Sequence, residues 1–328
     1  MDEIVTQTES GIIRRIIRKA GIPELTEALG SKLTLSELQS LLLHIYHRRT
    51  SKLGAADLLR QYRDNRFACS ARVSPGDVAK FDSLAYELLP PGFEPVELSP
   101  VAPLGASSVL GPVHQNNVMT TIRNTEVISD PTNVMALECA LRRKNRESAT
   151  EVKLCCSQRV LRTQVFSGPA SFPHFRILSL CSAGRDSGSR TFEIASMAAH
   201  IDYYLRLISA AESIGYRASD IRVVLIALSE QAVPAVDGGI REKLLKIHPG
   251  LPVEIELKPS DPGGYYSDMR FNLFAMNDAG EELFLVDGGP TDWTQKLLQN
   301  KKERLMTSGM GTERFIFSFR PRRGEREP

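Results

Sequence analysis

The sequence predicts an α+β fold, a class of antiparallel sheet flanked by helices, behind an N-terminal helical extension. Three observations predict it. Residues 1 to about 65 place their apolar side chains at helical spacing. After residue 74 the texture changes to strands mixed with helices. Those strands lack the regular strand–helix–strand alternation of a Rossmann fold. At 328 residues the chain is long for one domain and short for three. The expected division is a helical region over 1–73 and a larger domain over 74–328.

In order, GIIRRIIRKAG puts Ile12, Ile13, Ile16 and Ile17 on one helix face and Arg14, Arg15, Arg18 and Lys19 opposite. In LTLSELQSLLLHIYHRR, Thr34 and Glu37 have capping-box spacing ahead of an apolar stripe of Leu38, Leu41, Leu42, Ile45 and Tyr46. GAADLLRQYRDN is a third helix. The stretch from Ser74 to Val101 reads as a helix, a Pro-Pro-Gly stop and a short strand. HFRILSLCSA and DIRVVLIAL read as buried strands, and the long amphipathic helix between them stops at Gly215. REKLLKIHPG is a short helix. YYSDMRFNLFAMNDAGEELFLVDGG reads as two strands around Asn277–Gly280. TDWTQKLLQNKKE is helical, SGMG is a glycine turn, and RPRRGEREP is a solvated tail.

Composition narrows the function classes. Hydrophobic residues are 42% and charged residues 24%, as in a soluble globular protein. No apolar run approaches the roughly 20 residues of a membrane span. MDEIVTQTES lacks the basic and apolar regions of a signal peptide. Five cysteines without CxxC spacing argue against a disulfide framework or a zinc site, and a cytoplasmic location is expected. A net charge of +2 gives no overall attraction to nucleic acid.

Four segments then carry chemistry. FDSLAYELLPPGFEPVELSP joins a helix to a strand ending at Pro100. VKLCCSQRVLRTQ and SFPHFRILSLCSAG bring Arg162, Gln164 and Phe175 to the ends of two strands. GGYYSDMRFNLF and LFLVDGGPTDW carry Tyr265 and Tyr266, then Gly288 and Gly289. SGMGTERFIFSF carries Arg314 after a glycine-rich approach. A guanidinium offers a planar fork of donors to phosphate. An aromatic ring gives a nucleobase a flat surface.

In this order the segments resemble the catalytic domain of class II aminoacyl-tRNA synthetases, and within them the histidyl branch, from about Asp77 to Arg320. The resemblance implies the following roles. The first segment would build a dimer interface. Arg162 would hold the α-phosphate of ATP, Phe175 would stack the adenine and Arg314 would hold the γ-phosphate. Gln164 stands where the family has a glutamate. Tyr265 and Tyr266 would bound the amino-acid pocket over the flat strand of Gly288 and Gly289, with Thr132 also at the substrate. Mg²⁺ would bridge the phosphates, with Asp261 or Asp292 as a possible oxygen ligand.

The departures are as informative. The arginine that the histidyl branch carries before its tyrosine pair falls near Asp261. Its Arg-Pro-Glu-x-Thr segment falls on Asp130, Pro131, Thr132 and Asn133. The residues that recognise imidazole fall on Ile177 and Cys181. The expectation is therefore a paralogue and not a histidyl-tRNA synthetase. The chain stops at Pro328, so no anticodon-binding domain is expected to read a tRNA.

Two functions compete. One is an ATP-dependent, ligase-type enzyme that activates a small carboxylic or amino acid as an acyl-adenylate for an unknown acceptor. The other is a non-catalytic regulator of a partner protein, resembling the synthetase-like regulatory subunit of ATP phosphoribosyltransferase. A homodimer is expected in both. A third reading, RNA binding by Arg14, Arg15, Arg18, Lys19, His47, Arg48 and Arg49, ranks below a solvated helix face.

Overall fold

A computed structural model describes residues 2–145, 151–165, 172–259 and 264–320. The expected tail after Arg320, and Asp261, lie outside the described residues. The chain divides into two compact units, Met1–Asp64 with Thr121–Thr125, and Asn65–Thr120 with Glu126–Pro328. The segment 65–73 thus goes with the larger unit. Val73 joins the main core of that unit beside Val78 and Phe81.

The smaller unit is helical, with helices Asp2–Ala20, Leu35–Thr50 and Ala55–Asp64. The capping box forms as its spacing predicts. Thr34 donates its backbone N–H to Glu37 at 2.8 Å, and Glu37 N–H donates to Thr34 Oγ1 at 3.3 Å. No side chain of the last two helices is buried.

The larger unit is built on one eight-stranded sheet. In chain order its strands are β1 (Phe93–Pro95), β4 (Val152–Leu161), β5 (His174–Arg185), β6 (Ser219–Ala227), β7 (Val253–Leu257), β8 (Met269–Met276), β9 (Glu282–Thr291) and β10 (Glu303–Gly311). A separate two-stranded sheet pairs β2 (Val101–Pro103) with β3 (Thr125–Val127). The spatial order of the large sheet is β1-β4-β5-β10-β9-β8-β6-β7. Its interior is antiparallel. Both outer pairs, β1 with β4 and β6 with β7, run parallel. The sheet predicted as antiparallel is therefore mixed at its edges.

Alternation along the strands sets the two faces. On β5, Leu178 and Leu180 enter one core with Ile201, Tyr204, Leu205 and Ile208 of the helix Thr191–Ala210, and with Phe81 of the helix Pro75–Glu87. Cys181 and Ala183 enter the opposite core with Met135, Ala136 and Cys139 of the helix Pro131–Asn145. Both faces of β4 are covered, which is why Cys155 and Cys156 are both buried and burial pushes both thiols up.

One expectation fails here. SGMG is not a turn: Gly309 and Gly311 lie in β10, paired with β5 on one side and, at Gly309, with β9 on the other. Glycine lets the floor of a cleft stay low at these positions. The preceding helix is also shorter than predicted, Trp293–Leu298, and ends at Gln299 in a left-handed conformation.

His200 shows how the core constrains titration. It lies fully buried between Ser182 Oγ at 2.9 Å and Ser308 Oγ at 2.8 Å. Burial, helped by Lys153, lowers its pKa to about 3. Between the unfolded value near 6.5 and about 3, the unfolded chain takes a proton that the folded chain refuses. Stability is therefore lost as pH falls through this window, by up to about 1.4 kcal/mol per pH unit. His200→Gln is expected to flatten this slope in urea titrations at pH 7 and pH 4. An unchanged slope would remove His200 from the acid response.

Candidate functional site

Asp130-Pro131-Thr132 starts the helix Pro131–Asn145. Aspartate favours the N-cap and proline the first helical position. Asp130 Oδ1 accepts from Thr132 N at 2.9 Å and Thr132 Oγ1 at 2.7 Å. Asp130 Oδ2 accepts from Tyr265 OH at 2.9 Å. These bonds tie the start of that helix to the tyrosine pair.

Tyr265 and Tyr266 were expected on a strand. They lie in a bend just before β8, with rings 4.8 Å apart and edge to face. Tyr265 also packs edge-on against Trp293 at 5.0 Å. The strand begins only after Asp268, which has φ of 71° and pairs with Arg190. Tyr266 OH donates to Asp287 Oδ2 at 2.9 Å. Burial pushes both phenols well above their usual range, so both keep the proton that they donate. Burial also raises Asp287, against the lowering by the Tyr266 bond and by the Arg162 and Arg270 charges.

Arg162 is the first residue after β4. Its Nε donates to Ser129 O at 3.0 Å, and an Asp130 oxygen lies 3.9 Å from Nη2. The guanidinium stands over the Phe175 ring, 5.3 Å from its centroid. Phe175 is the second residue of β5. Arg314 sits in the first turn of the helix Thr312–Ser318, exposed, with Nη1 3.4 Å from Phe284 O. Glu313 beside it is buried and pairs with Arg159.

These side chains share one cleft of about 750 Å³. Arg162, Gln164, Phe175, Thr132, Tyr265, Tyr266 and Arg314 all line it. The two glycines divide. A Cβ on Gly289 would meet the Tyr266 ring at 2.7 Å, so this glycine lies under the tyrosine. A Cβ on Gly288 would meet Phe271 and Ser308 at 2.6 Å, on the face that carries the helix Thr191–Ala210. Gly288 is needed for packing and does not face the cleft.

Asp292 and two other polar groups make structural contacts. Asp292 bonds Lys296 at 2.9 Å and does not line the cleft. His174 links Arg159 at 3.0 Å to Cys69 O at 2.7 Å. Glu193 pairs with Arg304 at 2.9 Å. Sequence reasoning missed Arg270 and Asp287, which also line the cleft. Each is the one charge inside a mainly apolar strand, MRFNLFAM or LFLVDGG, and that was the available signal. Among the described residues no group of three His, Cys, Asp or Glu is placed to hold a metal ion. The described residues do not form a Mg²⁺ cage.

Comparison with solved structures defines the class of fold. An ATP phosphoribosyltransferase regulatory subunit/histidyl-tRNA synthetase from Bacillus halodurans superposes with a TM-score of 0.60 at 12% identity, covering 78% of this chain and 82% of that one. The apo histidyl-tRNA synthetase of S. aureus gives 0.56 at 12% identity, covering 76% and 68%. The RNA binding domain of threonyl-tRNA synthetase from Cryptosporidium parvum gives 0.54 at 9% identity, covering 74% and 62%. The fold is therefore that of the class II synthetase catalytic domain, of histidyl-tRNA-synthetase-like type. No protein-family profile and no curated protein sequence matches the chain. Among the described residues no helix is long and apolar enough to cross a membrane.

Proposed function

We propose that the cleft binds ATP and activates an amino-bearing carboxylic acid as an acyl-adenylate. The observation that carries this reading is the meeting of Arg162, Phe175 and Arg314 in one cleft floored by glycine-bearing strands. Arg162 holds the α-phosphate, Phe175 supports the adenine, Gln164 orients the nucleotide and Arg314 takes the γ-phosphate. A substrate carboxylate oxygen attacks the α-phosphorus, and the bond to the β-phosphate oxygen breaks to release pyrophosphate. Arg162 steadies the charge that builds there. Thr132 and the tyrosine pair bound the substrate pocket, with Asp130 holding Thr132 and Tyr265 in place. Mg²⁺ would travel with the triphosphate and neutralise part of its charge. The acyl acceptor is open, and a homodimer is part of the reading.

ATP–pyrophosphate exchange, screened over amino acids and small carboxylic acids, tests it. Exchange with at least one acid is expected. A second reading is favoured by the likeness to the regulatory-subunit structure, which extends over 82% of that chain. In it the same cleft senses a ligand and biases a partner protein. Ligand binding without any exchange would select this second reading.

A further inference from the structure

Strand β8 reads Met269-Arg270-Phe271-Asn272-Leu273. Met269, Phe271 and Leu273 enter the main core, so Arg270 and Asn272 project to the opposite face of the strand. Arg270 lines the cleft. Its Nε is buried without a hydrogen-bond partner, and its charge reaches Asp287 only through space. A buried guanidinium donor without an acceptor is costly, and the cost is removed when a ligand brings an anionic oxygen.

The neighbouring groups have the opposite need. Asn272 faces Asp287 across the β8–β9 ladder. Asn272 Oδ1 is buried without a donor, and Asp287 accepts one bond, from Tyr266. Asp287, with room for further donors, thus stands one diagonal step of the ladder, roughly 7–8 Å, from a donor that lacks an acceptor, and Asn272 stands two residues along the same strand as Arg270. The long arginine side chain can shorten that separation. The complement of this pattern is a zwitterion.

We infer that Arg270 is the carboxylate-recognition residue of the cleft, and that with Asp287, which Asn272 backs across the ladder, it selects an amino acid in zwitterionic form. This rests on the proposed adenylate reading for its consequence but not for its test. It also accounts for a gap in the sequence. The resemblance places a substrate-facing arginine ahead of the tyrosine pair, near Asp261, where the charge is inverted. Here the cation comes from the strand that follows the pair. Arginine suits the task because its planar fork matches a carboxylate.

The test uses the full chain and measures binding by calorimetry. The probes are ATP with Mg²⁺, the L-amino acids, and for each amino acid its decarboxylated amine, such as histamine for histidine or cadaverine for lysine. The wild type is expected to bind at least one amino acid at least about tenfold more tightly than the matching amine. In Arg270→Met that preference should fall to within about twofold, while ATP affinity stays within about twofold of the wild type. Arg270→Lys should retain part of the preference, since it keeps the charge and loses the fork. Circular dichroism and melting without ligand verify folding, and Arg270→Gln replaces the methionine variant if that variant unfolds. A folded neutral variant that keeps the preference overturns the inference. So does a variant that loses ATP and amino acid equally, which would place Arg270 on phosphate. A wild type that binds ATP but no amino acid, or binds amines equally well, also overturns it. If amino acids bind with the stated preference and ATP does not, the adenylate reading fails and this inference stands.

Discussion

Arg162→Ala is expected to lower ATP-dependent pyrophosphate exchange by about 100-fold or more, the usual cost of removing a donor aimed at developing charge. The guanidinium is placed by groups that need no ligand. Ser129 O holds Nε at 3.0 Å, and the Phe175 ring supports the guanidinium plane. The alanine variant should therefore fold normally and lose chemistry. Arg162→Lys should recover little, because a single ammonium cannot hold the Ser129 carbonyl and reach a phosphate with the same fork. The measurement is exchange rate at saturating acid, with melting temperature as the control. A variant that melts like the wild type and keeps its exchange rate would remove Arg162 from the reaction.

The second large effect concerns stability. Arg143, near the end of the helix Pro131–Asn145, makes a two-point bond to Glu303 at the start of β10, at 2.8 and 3.0 Å. Their side chains are only 2% and 6% exposed. Removing one member of a buried pair leaves the other charge stranded. Arg143→Leu should cost about 3–5 kcal/mol, and replacing both members by leucine should restore much of the loss. Urea denaturation of the two singles and the double measures this directly. If Arg143→Leu alone costs less than about 1 kcal/mol, water reaches Glu303 and the helix is not pinned to the sheet as described.

Much of the fold was legible because local signals agreed with it. The capping box at Thr34, the stop at Gly215 and the apolar runs of β5 and β6 each follow from short-range physics. β10 was hidden because Ser308, Gly309 and Gly311 look like a turn. They are small because a cleft lies over one face and His200 against the other, which only the tertiary structure reveals. The edge strand β7 was hidden for a similar reason, being short and half-exposed.

Within the candidate site, Arg162, Phe175 and Arg314 were readable from residue type and order, and they meet in one cleft. The tyrosine pair was readable as a pair but not as a bend, because the left-handed Asp268 carries no strong sequence mark. Gly288 and Gly289 looked equivalent, and strand alternation sends them to opposite faces. Arg270, Asn272 and Asp287 escaped because single polar residues in apolar strands acquire meaning only once the register aligns them.

The central claim is that the cleft holds a triphosphate end to end. Equilibrium titration of the full chain with ATP and with AMP, each with Mg²⁺, tests it most directly when repeated on Arg314→Ala. The account predicts that the wild type prefers ATP over AMP by about tenfold or more and that Arg314→Ala loses most of that preference while binding AMP unchanged. Equal affinity for the two nucleotides in the wild type, or no binding of either, would contradict it.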